Sequence, residues 1–452
     1  VSIDYNLKDL MQWHEKIEKI VNKVGLDYYP QEYEIVGYND MLAYESYVGM
    51  PSRYPHWSYG KSYEKNKTLY QLNMTGLPYE MVINSNPCLA YLMKDNTLLL
   101  QILTMAHVYG HNDFFKNNRL FKEGTDADST VEMFKRGADT IRSYINDPSI
   151  GYCEVERVLD AAHAIRFQTP RIVNDIRVSQ GEQRKKAIEE YNRLRDARTI
   201  LDENKEIPMP NISKVPLSPD DDVMQFIIEF GNLQDWERTI LQIVRRESLY
   251  FLPQIETKIM NEGWASFWHY NILKELNLPT GLHLEFLKRH NDVVAPIPYG
   301  LNPYYVGFRI FQDIEKRYGR DKIFEVRALE RDNSFIRKYL TEELCAELNL
   351  FKYGKRGFDY VVEEVADEQG WREIRNNIAD DCGVGSIPYI RVVELDPRDY
   401  SLHLEHVFDG RELESVYAKK TLKYINNLWK RKVTLTTKSK DGTDIVLTCD
   451  EK

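Results

Sequence analysis

Apolar side chains recur every three to four positions through long stretches of the chain, the spacing that gathers them on one face of an α-helix. The first stretch sets Leu10, Met11, Ile17, Ile20 and Val21 among charges and stops at Gly25, a residue suited to a helix end. The segment from Tyr28 to Tyr79 is rich in Tyr, Gly, Pro and Trp and reads as irregular wrapping with short helical pieces. Beyond it the periodicity predicts helices over 89–115, 131–146, 155–167, 181–204, 222–252, 255–276 and 304–318. No intact helix crosses Ile207-Pro208-Met209-Pro210-Asn211 through Pro219, which reads as a surface loop within one domain. After about Phe351 the pattern changes. Strands are expected at Tyr360-Val361-Val362, 389–395, 401–407, 433–437 and 445–448, with helices over 369–379 and 413–430 and a hairpin turn at Asp441-Gly442. The expected fold class is mainly α: a large helical domain over 1–350 and a small C-terminal α+β domain over 351–452.

Composition narrows the class. The 452 residues suffice for a large core and roughly two to three domains. Hydrophobic residues at 42% and charged residues at 29% are those of an ordinary globular protein, which argues against a disordered or membrane class. A net charge of -10 argues against broad charge-driven adhesion to nucleic acid or anionic lipid. Five cysteines without C-x-x-C spacing read as reduced thiols and not as a structural zinc cluster. No run approaches the ~18 apolar residues of a membrane span. The opening residues lack the order of a signal peptide, so the expected location is the cytoplasm.

Candidate chemistry concentrates on three of the predicted helices. Four residues correspond to about 40° of rotation, so His107 and His111 project from one face and can share a cation. Zinc hydrolases with such a pair place a glutamate after the first histidine to activate water; here Val108 holds that position. The stretch Asn261-Glu262-Gly263-Trp264-Ala265 through His269 sets Glu262 and His269 on one face as third and fourth ligand candidates. Glu156, Asp160 and His163 align at i, i+4 and i+7 on another helix and offer a second metal site or else a face of surface charges. Helices with inward-capable His and carboxylate groups are the arrangement of metal-carboxylate bundles, and these ligand types suit a divalent cation, zinc first, with iron or manganese as alternatives. The plain alternative for the histidine pair is two core imidazoles.

Other stretches read as site walls. Arg246 and Tyr250, with Arg245 and Glu247, can supply supporting hydrogen bonds or an oxyanion donor, an ordinary ion pair being the alternative. Arg53, His56 and Trp57 lie in a loop dense in donors and aromatics, and His290 and Asn302 have similar surroundings; Pro303 suits the first turn of a helix. Gly383-Val384-Gly385 lacks the further glycine and lysine of a phosphate loop, and there is no G-x-S-x-G elbow.

Several of these segments resemble the signature of the stage V sporulation protein R family (SpoVR). They are Val82-Ile83-Asn84-Ser85-Asn86-Pro87-Cys88, Ala106-His107-Val108 with His111 and Asp113 to Asn118, Asn261 to Ala265, and Asn302-Pro303-Tyr304 with Gly307-Phe308, in that order. The resemblance implies a cytoplasmic protein linked to spore cortex formation, with a smaller C-terminal domain. The histidine pair with a distant Glu262-Gly263-Trp264-Ala265 also looks like the layout of gluzincin-type metallopeptidases, where a glutamate on a second helix completes the zinc site. That likeness implies a zincin-like or metal-bundle site in the helical domain. Val108 departs from the pattern, and Asp113 or Glu156 would then stand in as catalytic base. The leading expectation is a metal-dependent hydrolase of a peptide or cell-wall-related substrate. The alternatives are a di-metal redox or oxygen-activating enzyme that also recruits Glu156, Asp160 and His163, and a non-enzymatic scaffold or regulator of sporulation whose C-terminal domain binds a partner protein.

Overall fold

A computed structural model describes residues 5–72, 80–171, 177–197, 208–297, 300–356, 359–364, 367 and 370–450. The chain is mainly helical, with a small sheet-containing C-terminal part. Contacts divide it into two units, each made of two separated stretches: 1–142 with 250–386, and 143–249 with 387–452. The expected cut at 350/351 runs along the chain; by contact, residues 351–386 group with the first unit and 387–452 with the second.

In the first unit the histidine helix, Leu98–Asn117, is buried without interruption from Leu99 to Phe115. A helix apolar nearly all round is stable only inside a core. The helix expected over 89–115 is in fact two elements. Strand β3, Cys88–Met93, comes first, and the turn that follows ends at Thr97, whose hydroxyl caps the helix by accepting from the Leu100 N–H at 3.2 Å. A short apolar run fits a buried strand as well as a helix, and the polar Lys94-Asp95-Asn96-Thr97 supplies the break. β3 is the centre of a three-stranded sheet, parallel to β1 (Gln31–Val36) and antiparallel to β2 (Glu80–Ile83), which is therefore an edge strand. Further along, β4 (Lys352–Arg356) and β5 (Asp359–Glu364) pair antiparallel.

Two more helices pack in series with the histidine helix: the glutamate helix, Lys258–Glu275, and the tyrosine helix, Pro303–Tyr318. Their approach is backbone to backbone. A Cβ on Gly110 would lie 2.6 Å from the Ala265 Cα, and one on Gly263 would lie 2.4 Å from the Gly307 Cα, so no side chain fits at either crossing. The helix starts are fixed by buried polar groups. Asp332 accepts from the N–H groups of Ile259 at 2.8 Å and Met260 at 2.9 Å, and burial raises its pKa to about 8. Asn302 accepts from the Tyr304 N–H at 3.0 Å and donates to the carbonyls of Val293 and Ala295, with Pro303 in the first turn as its position predicts.

In the second unit the helix expected over 155–167 is Tyr152–Ile165. The helix expected over 222–252 is interrupted at Gly231-Asn232 and becomes Val223–Phe230 and Asp235–Glu256, the latter ending in the first unit. The C-terminal sheet has the order β6 (Ile390–Leu395), β7 (Leu402–His406), β8 (Val433–Lys438), β9 (Asp444–Cys449). The helix Ser415–Trp429 makes the crossover that parallel β7 and β8 require, and the Asp441-Gly442 turn joins antiparallel β8 and β9 with Gly442 at φ 86. Parts of the expected elements at Tyr79, 198–204, Ile207 and 369 lie outside the described residues. No helix among the described residues is long and apolar enough to cross a membrane, and all five cysteines are free.

Candidate metal centre

The glycine crossings bring one face of the histidine helix against one face of the glutamate helix. There the Glu262 Oε2 lies 3.5 Å from the His111 Nε2 and 3.8 Å from the His107 Nε2. Among the described residues, His107, His111 and Glu262 form a group whose ligand atoms all lie within 4.8 Å of one another. Ligands of a tetrahedral zinc, with bonds of ~2.0–2.1 Å, stand roughly 3.3 Å apart, so these separations are close to what one cation needs. Glu80, on edge strand β2, brings its Oε1 to 3.9 Å from the same His107 Nε2. The imidazoles are nearly closed off, at 4% and 9% exposure, whereas the Glu80 and Glu262 side chains keep 17% and 20%; the centre opens on its carboxylate side.

The other nitrogen of each ring is occupied. The His111 Nδ1 is 2.8 Å from the Asn261 Oδ1, and since an amide oxygen only accepts, Nδ1 carries the proton and Nε2 is a bare lone pair. Burial first, and then the neighbouring His107, lower the His111 pKa to about 4, so the ring is neutral near pH 7. The Glu262 Oε2 is buried and has no hydrogen-bond partner. Two electron-rich atoms, Nε2 of His111 and Oε2 of Glu262, thus face each other with no proton between them, which is unfavourable unless a cation sits there. Nitrogen, nitrogen and carboxylate oxygen are a donor set for zinc, iron or manganese, and the residues fit such an ion.

Charge at the centre is tuned by what surrounds it. Burial works against the Glu262 carboxylate, but the facing imidazoles and the nearby Tyr304 hydroxyl together hold its pKa below the ordinary value. Burial raises that of Glu80, and the Glu262 charge adds to the rise. The Glu262 charge, with burial, pushes the Tyr304 phenol well above its ordinary value, so it stays a donor; its ring stacks on His107 at 6.2 Å.

The remaining expected site residues are distributed as follows. His269 is on the far side of His107, with its Nδ1 2.9 Å from the His107 Nδ1, and its Nε2 is 2.8 Å from the Nδ1 of His290. Asp113 is two residues past His111, about 200° around the helix. Its Oδ1 accepts from the Asp27 N–H at 2.9 Å and its Oδ2 from the Trp264 indole at 2.8 Å, with Arg327 at 3.5 Å; burial raises its pKa to about 6. Asn302 and Pro303 start the helix that carries Tyr304. His56 accepts from the Ser58 N–H to cap the helix Trp57–Gln71, Trp57 is exposed, and Arg53 is buried among the rings of Tyr54, Tyr59, Phe134 and Phe251. Tyr250 is buried against Phe134 and Phe251. Arg246 is exposed in the second unit, and Glu156, Asp160 and His163 are half-buried there; Glu156 accepts from the Tyr152 hydroxyl at 2.7 Å. Glu80 and Tyr304 are the residues that pattern reading passed over as chemistry. Glu80 is a single carboxylate at the start of a strand and leaves no periodic signal; Tyr304 had one, its place in the first turn after the Asn302-Pro303 cap.

A family model described as SpoVR like protein matches residues 4–387, and one described as SpoVR-like C-terminal domain matches residues 388–440. The junction of the two matches falls beside the 386/387 limit of the first unit. The chain is also similar to a protein of Escherichia coli (strain K12) described as "Uncharacterized protein YcgB", at 36% identity over 473 residues, covering 94% of this chain and 91% of the relative. No solved structure matches the chain.

Proposed function

The chain belongs to the SpoVR-like family, and we propose that it is a metal-dependent hydrolase whose cation is held by His107, His111 and Glu262. The observation that carries this reading is the buried Glu262 Oε2, without a hydrogen bond and facing two imidazole Nε2 atoms. Zinc bound there supplies Lewis acidity, polarising a carbonyl and acidifying water toward a pKa of about 7. Glu80 does the proton transfer that Val108 cannot: burial raises its pKa above the ordinary carboxylate value, which makes it a stronger base, and it stands on the open side of the centre. Tyr304 keeps its proton and donates to the oxygen on which charge develops. Asp113, engaged by three partners, fixes the histidine helix to its neighbours. The substrate is a peptide or a cell-wall-related amide, in keeping with the spore cortex role expected of the family, and the site of action is the cytoplasm.

Elemental analysis of protein purified without a His-tag or added metal tests the reading. One equivalent of zinc in wild type, lost in a His107→Ala, His111→Ala double variant that keeps its helical circular dichroism, is the expected result. Well-folded wild type that neither carries metal nor takes up zinc overturns it, and two equivalents of iron or manganese would favour a redox centre instead.

A further inference from the structure

Behind His107 three buried imidazoles from three helices stand in line. The His107 Nδ1 is 2.9 Å from the His269 Nδ1, and the His269 Nε2 is 2.8 Å from the His290 Nδ1; His290 comes from the helix Thr280–Val293. Exposures of 3%, 0% and 4% leave water no part in these contacts. At these separations two bare lone pairs or two N–H groups would repel, so each contact holds one proton, with one nitrogen donating and the other accepting. Aromatic side chains enclose the end of the line: Tyr270 and Phe308 lie 4.7 and 5.0 Å from the His290 ring centre.

A neutral imidazole donates from one nitrogen and accepts at the other. A line of three therefore has two self-consistent proton arrangements, and one choice at His107 sets the rest. In the outward arrangement His107 Nδ1–H donates to His269 Nδ1, His269 Nε2–H donates to His290 Nδ1, and His107 is left with a bare Nε2 toward Glu262. In the inward arrangement every donor reverses, and a proton occupies the His107 Nε2, where the nearest carboxylate oxygens, at 3.8 and 3.9 Å, are beyond hydrogen-bond range. Only the outward arrangement leaves His107 able to bind a cation through Nε2.

We propose that His269 and His290 are positioning residues: a strut of two neutral imidazoles that presents the His107 Nε2 lone pair to the centre, so that a cation bound there fixes the ring tautomer of His290. The proposal rests on the metal reading above. It gives both ligand histidines an uncharged partner, Asn261 for His111 and His269 for His107, and leaves Glu262 and Glu80 to balance a divalent charge. Outer partners of this kind govern metal affinity by 10–100-fold, as an order of magnitude.

The test uses the full chain and zinc alone, titrated against a chromophoric chelator. His269→Ala is expected to weaken zinc binding by about 10–100-fold, with His269→Gln, whose amide oxygen can accept from His107, recovering most of the loss, and His290→Ala costing only a few-fold. A second measurement needs no variant: nitrogen-15 spectra of histidine-labelled wild type should show zinc driving His290 to the Nε2–H tautomer. Zinc bound by wild type with equal affinity in His269→Ala, or zinc-bound wild type with the His290 proton on Nδ1, overturns the strut and leaves the metal reading standing. A folded wild type that binds no zinc overturns both.

Discussion

The helices Leu98–Asn117 in one unit and Tyr152–Ile165 in the other both carry imidazole and carboxylate groups at helical spacing, and their surroundings differ. The second is a one-sided helix: Val155, Val158, Leu159, Ala161, Ala162 and Ile165 are buried, while Glu156, Asp160 and His163 stay on a half-exposed flank. The first is buried on every side, so each polar group along it needs a partner inside the protein. Its partners come from other elements: Asn261, His269 and Glu262 from the glutamate helix, and Glu80 from strand β2. Spacing shares out faces. Burial decides which face becomes a site.

The sharpest way to break the comparison is to push the helices apart. Gly263→Ala puts a methyl against the Gly307 backbone and should destabilise the first unit by about 3 kcal/mol and remove zinc binding with it, read from urea midpoints and metal content. By contrast, Gly60→Ala, in a helix with open space at that position, should stabilise by about 0.5–1 kcal/mol. Next in size, Glu262→Gln keeps the shape of the centre without its charge, and zinc affinity should fall by more than about 100-fold; an unchanged affinity would mean that Glu262 is not a ligand.

A third test reads the buried rings through pH. In the folded chain His290 stays neutral down to about 4, while an unfolded histidine takes a proton below its ordinary 6.5. The unfolded state therefore binds more protons in that window. Stability of metal-free protein should be lost as pH falls from 6.5 toward 4, by up to about 1.4 kcal/mol per pH unit for His290, with His269 acting in the same direction. Urea midpoints that do not move between pH 7 and 5 would contradict the neutral line of imidazoles. The smallest effect belongs to the other helix: Glu156→Ala with His163→Ala should leave zinc content unchanged and stability within about 0.5 kcal/mol of wild type.

The same contrast explains what could be read from the sequence. His107 and His111 are joined by local geometry, and the shared face of Glu262 and His269 by the same rule, so each half of the centre was visible. That His269 would turn to the back of His107 while Glu262 meets its front was not, because two positions seven apart share a face but lie about 10 Å apart along the helix axis and so meet different sides of a neighbour. Glu80 needed the pairing of β2 with β3 and the seating of that sheet on the histidine helix, which no spacing within one segment encodes. The strand inside 89–115 was hidden by its own apolarity, and the break at Gly231 by the strength of the pattern on both sides. At Asp113 the sequence showed a carboxylate near the pair; the fold gave it to Asp27, Trp264 and Arg327.

The order of segments in the first unit has a consequence in time. The histidine helix is finished about 140 residues before the glutamate helix begins, an interval of roughly 7–30 s at ribosomal speeds of ~5–20 residues per second. What is synthesised in between is mostly the first stretch of the other unit, which itself waits for residues 387–452. For that period the histidine helix lacks the glutamate and tyrosine helices and is covered by elements already made, among them the helix Leu7–Val24, the three-stranded sheet and the helix Arg119–Gly124.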